Sequence, residues 1–386
     1  MEYDVIVVGL GPAGSTISYH LAKEGARVLG LDRCDFPRKK PCGGALSPRT
    51  IQAIPFDIKD TYVKTVYGGI FTFAGGDRLS LERESPLSHM TTRLCFDHFL
   101  LKESAKVGVS IRTGLVVESF RESTDSVTVV TSHGSFSGKY LIGADGVNSM
   151  VERALHPRHR RRRIIAQEMD IPVPDPLADD PQRFLYVDFG IIPRGYGWIF
   201  PKGDHLNVGI AGLNLSGREV KQAAGSFLSS HPALAEADFG NWYGYSLSLP
   251  FSERLPLARG RIFLCGEAAG LVDPFTGEGI YFAVESAKMA APLVIEALRG
   301  RNGASLKYDQ SVKARFYPEF RWAYHLMRLA TTFPRITYQI IKDHRQVMPA
   351  YFRLISGETT YQQTVENLKK KLKRYLAEKI GLNSKA

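Results

Sequence analysis

The sequence predicts an α/β protein: a Rossmann-like nucleotide-binding domain, an antiparallel β-sheet substrate domain and a C-terminal helical region. Three observations carry that prediction. A glycine-rich turn, "GLGPAG", sits between an apolar run and a helical pattern at the N-terminus. Segments rich in β-branched and aromatic residues, broken by glycine turns, recur in the middle of the chain, and the last 86 residues are basic with helical spacing.

Taken in order, "YDVIVV" (Tyr3 to Val8) reads as a short buried strand and Gly9 to Gly14 as the turn that follows it, opening a helix to about Lys23. Gly9 permits the tight turn, Gly11 lets a pyrophosphate approach the backbone, and Gly14 lets helix and strand pack closely, with free amides at the helix start facing the phosphates. A second strand, "ARVLGLD", ends at Asp32, 18 residues past Gly14. A carboxylate about 20 residues on is the expected partner of a ribose hydroxyl. This much defines dinucleotide binding and leaves open which dinucleotide, because flavin and nicotinamide enzymes share the motif.

Two later segments narrow the choice. "KYLIGADGVNS" is a strand ending in the turn Asp145-Gly146; "GRIFLCGEAAGLVDPFTGEGIYFAVESAKMAA" is a strand, a small-residue turn and a helix of about Ile280 to Leu298. Gly277 and Gly279 flank Glu278 at the helix start, and such a positive end suits the edge of a reduced, anionic flavin ring. Asp273 and Glu267 are candidates to accept hydrogen bonds from a ribityl chain, with simple turn capping as the competing role.

Length and composition set the outer bounds. At about 100–200 residues per domain, 386 residues make two or three structural units. No run approaches the roughly 18–20 uncharged apolar residues of a membrane span, and no leader pattern opens the chain, so a cytoplasmic protein is expected. Cys34, Cys42, Cys95 and Cys265 form no CxxC pair and no zinc spacing, so neither disulfide nor metal is expected, and all but Cys42 read as core. The net charge of +11 concentrates in "RHRRRR" (Arg158 to Arg163) and in "NLKKKLKRYLAEKI" (Asn367 to Ile380). Such clusters mark either an anionic partner or a solvated face. The arginine run has no interleaved aromatics for base stacking, which argues against nucleic acid.

"GLGPAG", "PCGGALSPR", "TTRLCFDHFLL", "GADGVNS", "YGWIFPKGDHLNVGI" and "GEAAGLVDPFTGEGI" together resemble the geranylgeranyl reductase family of FAD-dependent proteins, within the para-hydroxybenzoate-hydroxylase-like superfamily. The similarity spans roughly residues 1–330 in order. It implies FAD as cofactor, held by Gly9, Gly11, Pro12, Ala13, Gly14, Asp32, Arg33, Cys42, Gly43, Gly44, Arg93, Asp145, Gly146, Glu267, Asp273, Gly277, Gly279 and Ile280. One departure is that Glu267 stands where the family has aspartate. The family fold implies a discontinuous FAD domain of residues 1–60, 90–160 and 256–300, a sheet domain of 61–89 and 161–255, and a helical basic region of 301–386.

"KKPCGGALSPR" is then expected to pass near the flavin, Gly43 and Gly44 letting the backbone approach a flat ring. Cys42 is either an active-site neighbour, serving substrate binding or proton delivery, or inert packing; Lys39 and Lys40 nearby are candidates to lower its pKa. Tyr196 and Trp198 alternate along one strand, so they share a face and offer a wall for a long apolar substrate or for the flavin, with core packing as the alternative. The expected reaction is saturation of carbon–carbon double bonds of a geranylgeranyl chain on a diphosphate, lipid or related carrier, by hydride from flavin N5 plus a proton from water, Cys42 or a tyrosine.

No second glycine fingerprint follows, so electrons are expected from transient NAD(P)H binding or from a donor protein. The tail places Val365, Leu368, Leu372, Leu376 and Ile380 on one helical stripe with lysines around it, which fits peripheral contact with an anionic membrane or a capped core. The competing activity is an FAD monooxygenase or halogenase acting on a small aromatic substrate, since one scaffold supports both.

Overall fold

The computed structural model describes residues 2–172, 184–229, 234, 241–250, 252–344, 347–367 and 369–370. Tyr3–Val8 lies inside an eight-stranded sheet whose spine runs Ala258–Arg259, Ile262–Leu264, Gly134–Gly143, Tyr3–Val8, Val28–Leu31, Ser110–Arg112. From Ile262–Leu264 to Ser110–Arg112 every join is parallel. Val5, Ile6 and Val7 are wholly buried, as strands shielded on both faces require. Helix Pro12–Lys23 starts with proline in its first turn, where the missing N–H costs nothing, and packs against helix Ile280–Leu298.

The second sheet has seven strands in the order Tyr243–Ser248, Arg163–Pro172, His205–Leu213, Gly195–Pro201, Phe184–Phe189, Gly68–Phe73, Arg78–Glu82. It is antiparallel except where Phe184–Phe189 runs parallel to Gly68–Phe73. The chain leaves this sheet after Glu82, builds helix Arg93–Lys106 and much of the first sheet, and re-enters at Arg163, so those two strands meet through a long crossover and not a hairpin. Ala45–Leu46, Ser88–Met90 and Lys64–Val66 form a small third sheet.

The C-terminal region is helical over Ala304–Thr332, Pro334–Asp343 and Val347–Ser356. Met348 and Phe352 pack on Phe71 and Leu87 under the second sheet, and Tyr361 packs with Ala323 and Leu354. Of the basic tail stripe, Leu368, Leu372, Leu376 and Ile380 lie outside the described residues. Among the described residues no helix is long and apolar enough to cross a membrane, and no His/Cys/Asp/Glu cluster could hold a metal ion.

The cofactor and substrate cavity

Between the two sheets and the C-terminal helices lies a cavity of about 1470 Å³. A pocket for one small ligand spans roughly 300–1,000 Å³, so this one has room for a cofactor and a substrate together. Its two ends differ in chemistry. Gly9, Gly11, Asp32, Arg38, Arg93 and Asp145 line one end; Phe71, Leu185, Val187, Phe189, Met348 and Phe352 line the other.

At the polar end the three glycines have distinct structural reasons. Gly9 has φ of +89°, and a Cβ there would sit 2.5 Å from the Ala144 carbonyl oxygen. A Cβ on Gly14 would fall 1.8 Å from the Gly9 oxygen, so helix and turn are in backbone contact. At Gly11 a Cβ would meet only the Nη2 atoms of Arg38 and Arg93, at 3.6 and 3.7 Å. Gly11 therefore faces open space flanked by two guanidinium groups at a helix N-terminus, an arrangement whose chemistry suits a diphosphate. Both arginines are held by one buried carboxylate: Arg93 forks onto Asp97 at 2.6 and 2.6 Å, and Arg38 reaches it at 3.1 Å.

Asp32 lines the cavity while accepting from the amides of Leu10 at 2.8 Å and Cys34 at 2.9 Å, so it also shapes the glycine turn. Arg33 lies on the exposed rim. Asp145 Oδ2 caps the helix at Met150 from 2.7 Å, while its Oδ1 is buried with no partner; burial raises its pKa. Glu267 Oε2 accepts from Tyr245 at 2.6 Å and pairs with Lys40 at 3.6 Å, and its Oε1 is likewise buried without a partner. Two orphaned acceptors on cavity-lining residues call for hydroxyl donors that the protein does not supply, and a sugar or ribityl chain carries them. The residues present fit FAD.

Asp273 is placed differently from the expectation. It is absent from the cavity wall: it is 1% exposed and accepts from the amides of Phe275 and Thr276 and from the Tyr361 hydroxyl at 3.0 and 2.9 Å. Its role is to brace, from behind, the loop that presents Gly277, Gly279 and Ile280 to the cavity. Glu278 is clamped by Ser47, Thr50 and Arg49, which ties "KKPCGGALSPR" to the helix start. The arginine run is divided as well. Arg161 turns inward onto Glu152 and the carbonyls of Val147 and Ala268, stapling two cofactor-side turns, whereas Arg160 and Arg162 stay exposed.

Cys42 lines the cavity, its amide donating to Glu168 Oε1 at 2.8 Å and its Sγ accepting from Gly44 at 3.4 Å. The cation beside it is not Lys39, which lies over the Tyr243 ring, nor Lys40, which is taken up by Glu267. It is Lys202, whose ammonium donates to the carbonyls of Gly43 and Thr91. Burial pushes Lys202 down to about 8, against the pull of Cys42 and Glu168. Gly43 and Gly44 line the cavity and are also required by their protein neighbours: a Cβ at Gly43 would lie 2.8 Å from the Phe200 ring, and one at Gly44 2.1 Å from the Thr91 oxygen. Of the other cysteines only Cys265 is core; Cys34 lines the cavity and Cys95 is exposed.

Tyr196 and Trp198 share the cavity face, ring centroids 5.9 Å apart, and Phe200 continues the wall at 6.2 Å from Trp198. Trp198 Nε1 donates to Asn207 Oδ1 at 2.9 Å. Glu168 was missed by sequence reasoning, although "AQEMD" alternates so that Glu168 and Asp170 share one strand face with Ala166; burial pushes Glu168 up to about 7. Arg38 was missed too, since it lies outside any named motif.

Comparison with known proteins agrees with this geometry. An FAD binding domain family matches residues 2–187. The geranylgeranyl diphosphate reductase of Rhodobacter capsulatus is 31% identical, covering 85% of this chain and 83% of that protein. A menaquinone reductase of Mycobacterium tuberculosis is 29% identical, over 86% and 85%. The solved structure of a geranylgeranyl bacteriochlorophyll reductase-like protein from Thermoplasma acidophilum superposes with a TM-score of 0.76 at 25% identity, covering 84% of this chain and 86% of that one. Fold, cavity and family match define an FAD-dependent oxidoreductase. The chain belongs to the geranylgeranyl reductase family.

Proposed function

We propose that the protein saturates carbon–carbon double bonds of a geranylgeranyl-type isoprenoid chain carried on a diphosphate, lipid or quinone-like head. The observation that supports this reading is the continuous cavity: an end with two guanidinium groups at a helix N-terminus, an aromatic wall and an apolar far end in one open-mouthed space. When bound, reduced FAD supplies the hydride equivalent. Arg38, Arg93 and the Gly11 turn would hold its diphosphate, and Asp145 and Glu267 its hydroxyls. Tyr196, Trp198 and Phe200 orient the chain against the site, and the apolar far end excludes water from it.

Entry of the chain is served by an exposed apolar corner. Leu329, Phe333, Ile336 and Ile340 are each 47% exposed or more, and Leu329 and Ile340 also line the cavity. Arg328 and Arg335 stand exposed beside them. Apolar side chains ringed by cations suit the surface of an anionic membrane, and here they would admit a lipid chain directly to the cavity. Anaerobic turnover of geranylgeranyl diphosphate with chemically reduced enzyme tests the reading. Products heavier by two hydrogens per reduced double bond support it, and unchanged substrate counts against it.

A further inference from the structure

Saturating an isolated alkene requires a proton as well as a hydride. The strand register aligns Glu168 with Gly209 and Gly209 with Trp198, so the three lie in one row across neighbouring strands, facing the cavity. Gly209 has no side chain, and the indole lies over it: a Cβ there would be 2.1 Å from Trp198 Cζ2. No other side chain in that row stands between the Glu168 carboxyl and the aromatic wall. Oε1 is anchored by the Cys42 amide and Asn207 also reaches the carboxyl, so Oε2 is the oxygen assigned the proton.

The other cavity-lining acids lie at the nucleotide end, where Asp145 Oδ1 and Glu267 Oε1 are the oxygens suited to cofactor hydroxyls, or are taken up by other groups. Asp32 and Asp145 bond backbone amides at the nucleotide end, Glu267 is bonded by Tyr245 and Lys40, and Glu278 is clamped by Ser47, Thr50 and Arg49. Asp343 lies exposed at the mouth.

Resting on the reductase reading above, we propose that Glu168 is the general acid that protonates the substrate double bond. In that step the π bond would break, one carbon taking the hydride equivalent that bound, reduced FAD would supply as a two-electron donor. The other carbon gains the proton from Glu168 Oε2, and water reprotonates the carboxylate. The groups facing Glu168 are the Cys42 amide, the Lys202 ammonium, the Asp170 carboxylate, the Asn207 amide and, in register on the next strand, Tyr243. Burial holds the acid near neutrality, whereas Tyr196 is pushed up to about 12, a far weaker acid, and the Lys202 ammonium is tied to two carbonyls. A general acid works best when its pKa lies close to the working pH.

The test compares wild type, Glu168→Gln and Glu168→Asp as FAD-loaded enzymes. Glu168→Gln is expected to lower kcat by about 10²–10⁴-fold and Glu168→Asp by less, with FAD affinity unchanged. Wild-type kcat is expected to fall as pH rises through about 7, and the variant to lose that limb. Independently of turnover, difference infrared spectra of oxidised holoenzyme should show a protonated carboxyl band titrating near 7 that Glu168→Gln removes. Turnover within about threefold of wild type in Glu168→Gln, or a band already lost by pH 6, overturns the assignment. If the band titrates as expected while no isoprenoid chain is reduced, the reductase reading fails and the protonation of Glu168 stands.

Discussion

Replacing Gly209 by alanine perturbs the aromatic wall with a single methyl group. The backbone there tolerates any residue, so the effect is one of space alone. The new Cβ would lie 2.1, 2.6 and 2.6 Å from Cζ2, Cε2 and Cη2 of Trp198, and the indole must give way. Trp198 is 6% exposed and its Nε1 is bonded to Asn207, so moving it overpacks the wall and strands a buried donor. Overpacking costs about 1–3 kcal/mol and an unsatisfied buried group about 1–3 kcal/mol, which together give a loss of about 2–6 kcal/mol. Gly244→Ala in the same sheet is the control, since a Cβ there meets nothing within 4 Å. Urea unfolding gives the stability and near-UV circular dichroism reports the indole. If Gly209→Ala matches the control within about 0.5 kcal/mol with an unchanged indole spectrum, the packing argument is refuted.

Further outcomes follow from the same geometry. Gly11→Ala should leave the apoprotein as stable as wild type while weakening FAD binding at least about tenfold, because its Cβ projects only into the diphosphate space; calorimetric titration of apoprotein with FAD measures this. Arg161→Met takes one of two partners from the buried Glu152 carboxylate, His159 at 3.0 Å keeping the other oxygen, and should cost about 1–3 kcal/mol in urea unfolding. Lys202 has a folded pKa near 8 against 10.5 in the unfolded chain. The unfolded state therefore holds more protons between those values, so its contribution to stability rises with pH across that window, and Lys202→Met should flatten the rise in denaturation curves measured from pH 7.5 to 10.5. Phe333→Asp combined with Ile336→Asp should reduce binding to anionic phospholipid vesicles by about tenfold or more in flotation, with reduction of a soluble prenyl diphosphate retained.

The nucleotide half of the site was legible because its chemistry is written locally. Gly9, Gly11 and Gly14 show in their own spacing between strand and helix, although Gly9 abuts the Ala144 turn and Gly11 faces Arg38 and Arg93, and Tyr3–Val8 and Ile280–Leu298 fall where the apolar pattern places them. The aromatic wall was legible for the same reason, since alternation along one strand fixes the face shared by Tyr196 and Trp198. What escaped depends on pairing between distant segments. Asp273 turns away from the cavity because Tyr361, 88 residues on, claims its oxygens. Lys202 and not Lys40 meets Cys42 because strand Gly195–Pro201 ends beside the Cys42 loop, and Glu168 reaches that loop only through the register of the second sheet. The parallel join between Phe184–Phe189 and Gly68–Phe73 is likewise a property of the crossover and has no signature in either strand.

Flavin stoichiometry tests most directly the reduction of an isoprenoid double bond in this cavity. Enzyme reduced to completion without oxygen and mixed with geranylgeranyl diphosphate should show flavin reoxidation at one equivalent per double bond reduced, while the same chain already fully saturated leaves the flavin reduced. Flavin that stays reduced with both chains until oxygen is admitted would contradict reduction of the chain in this cavity.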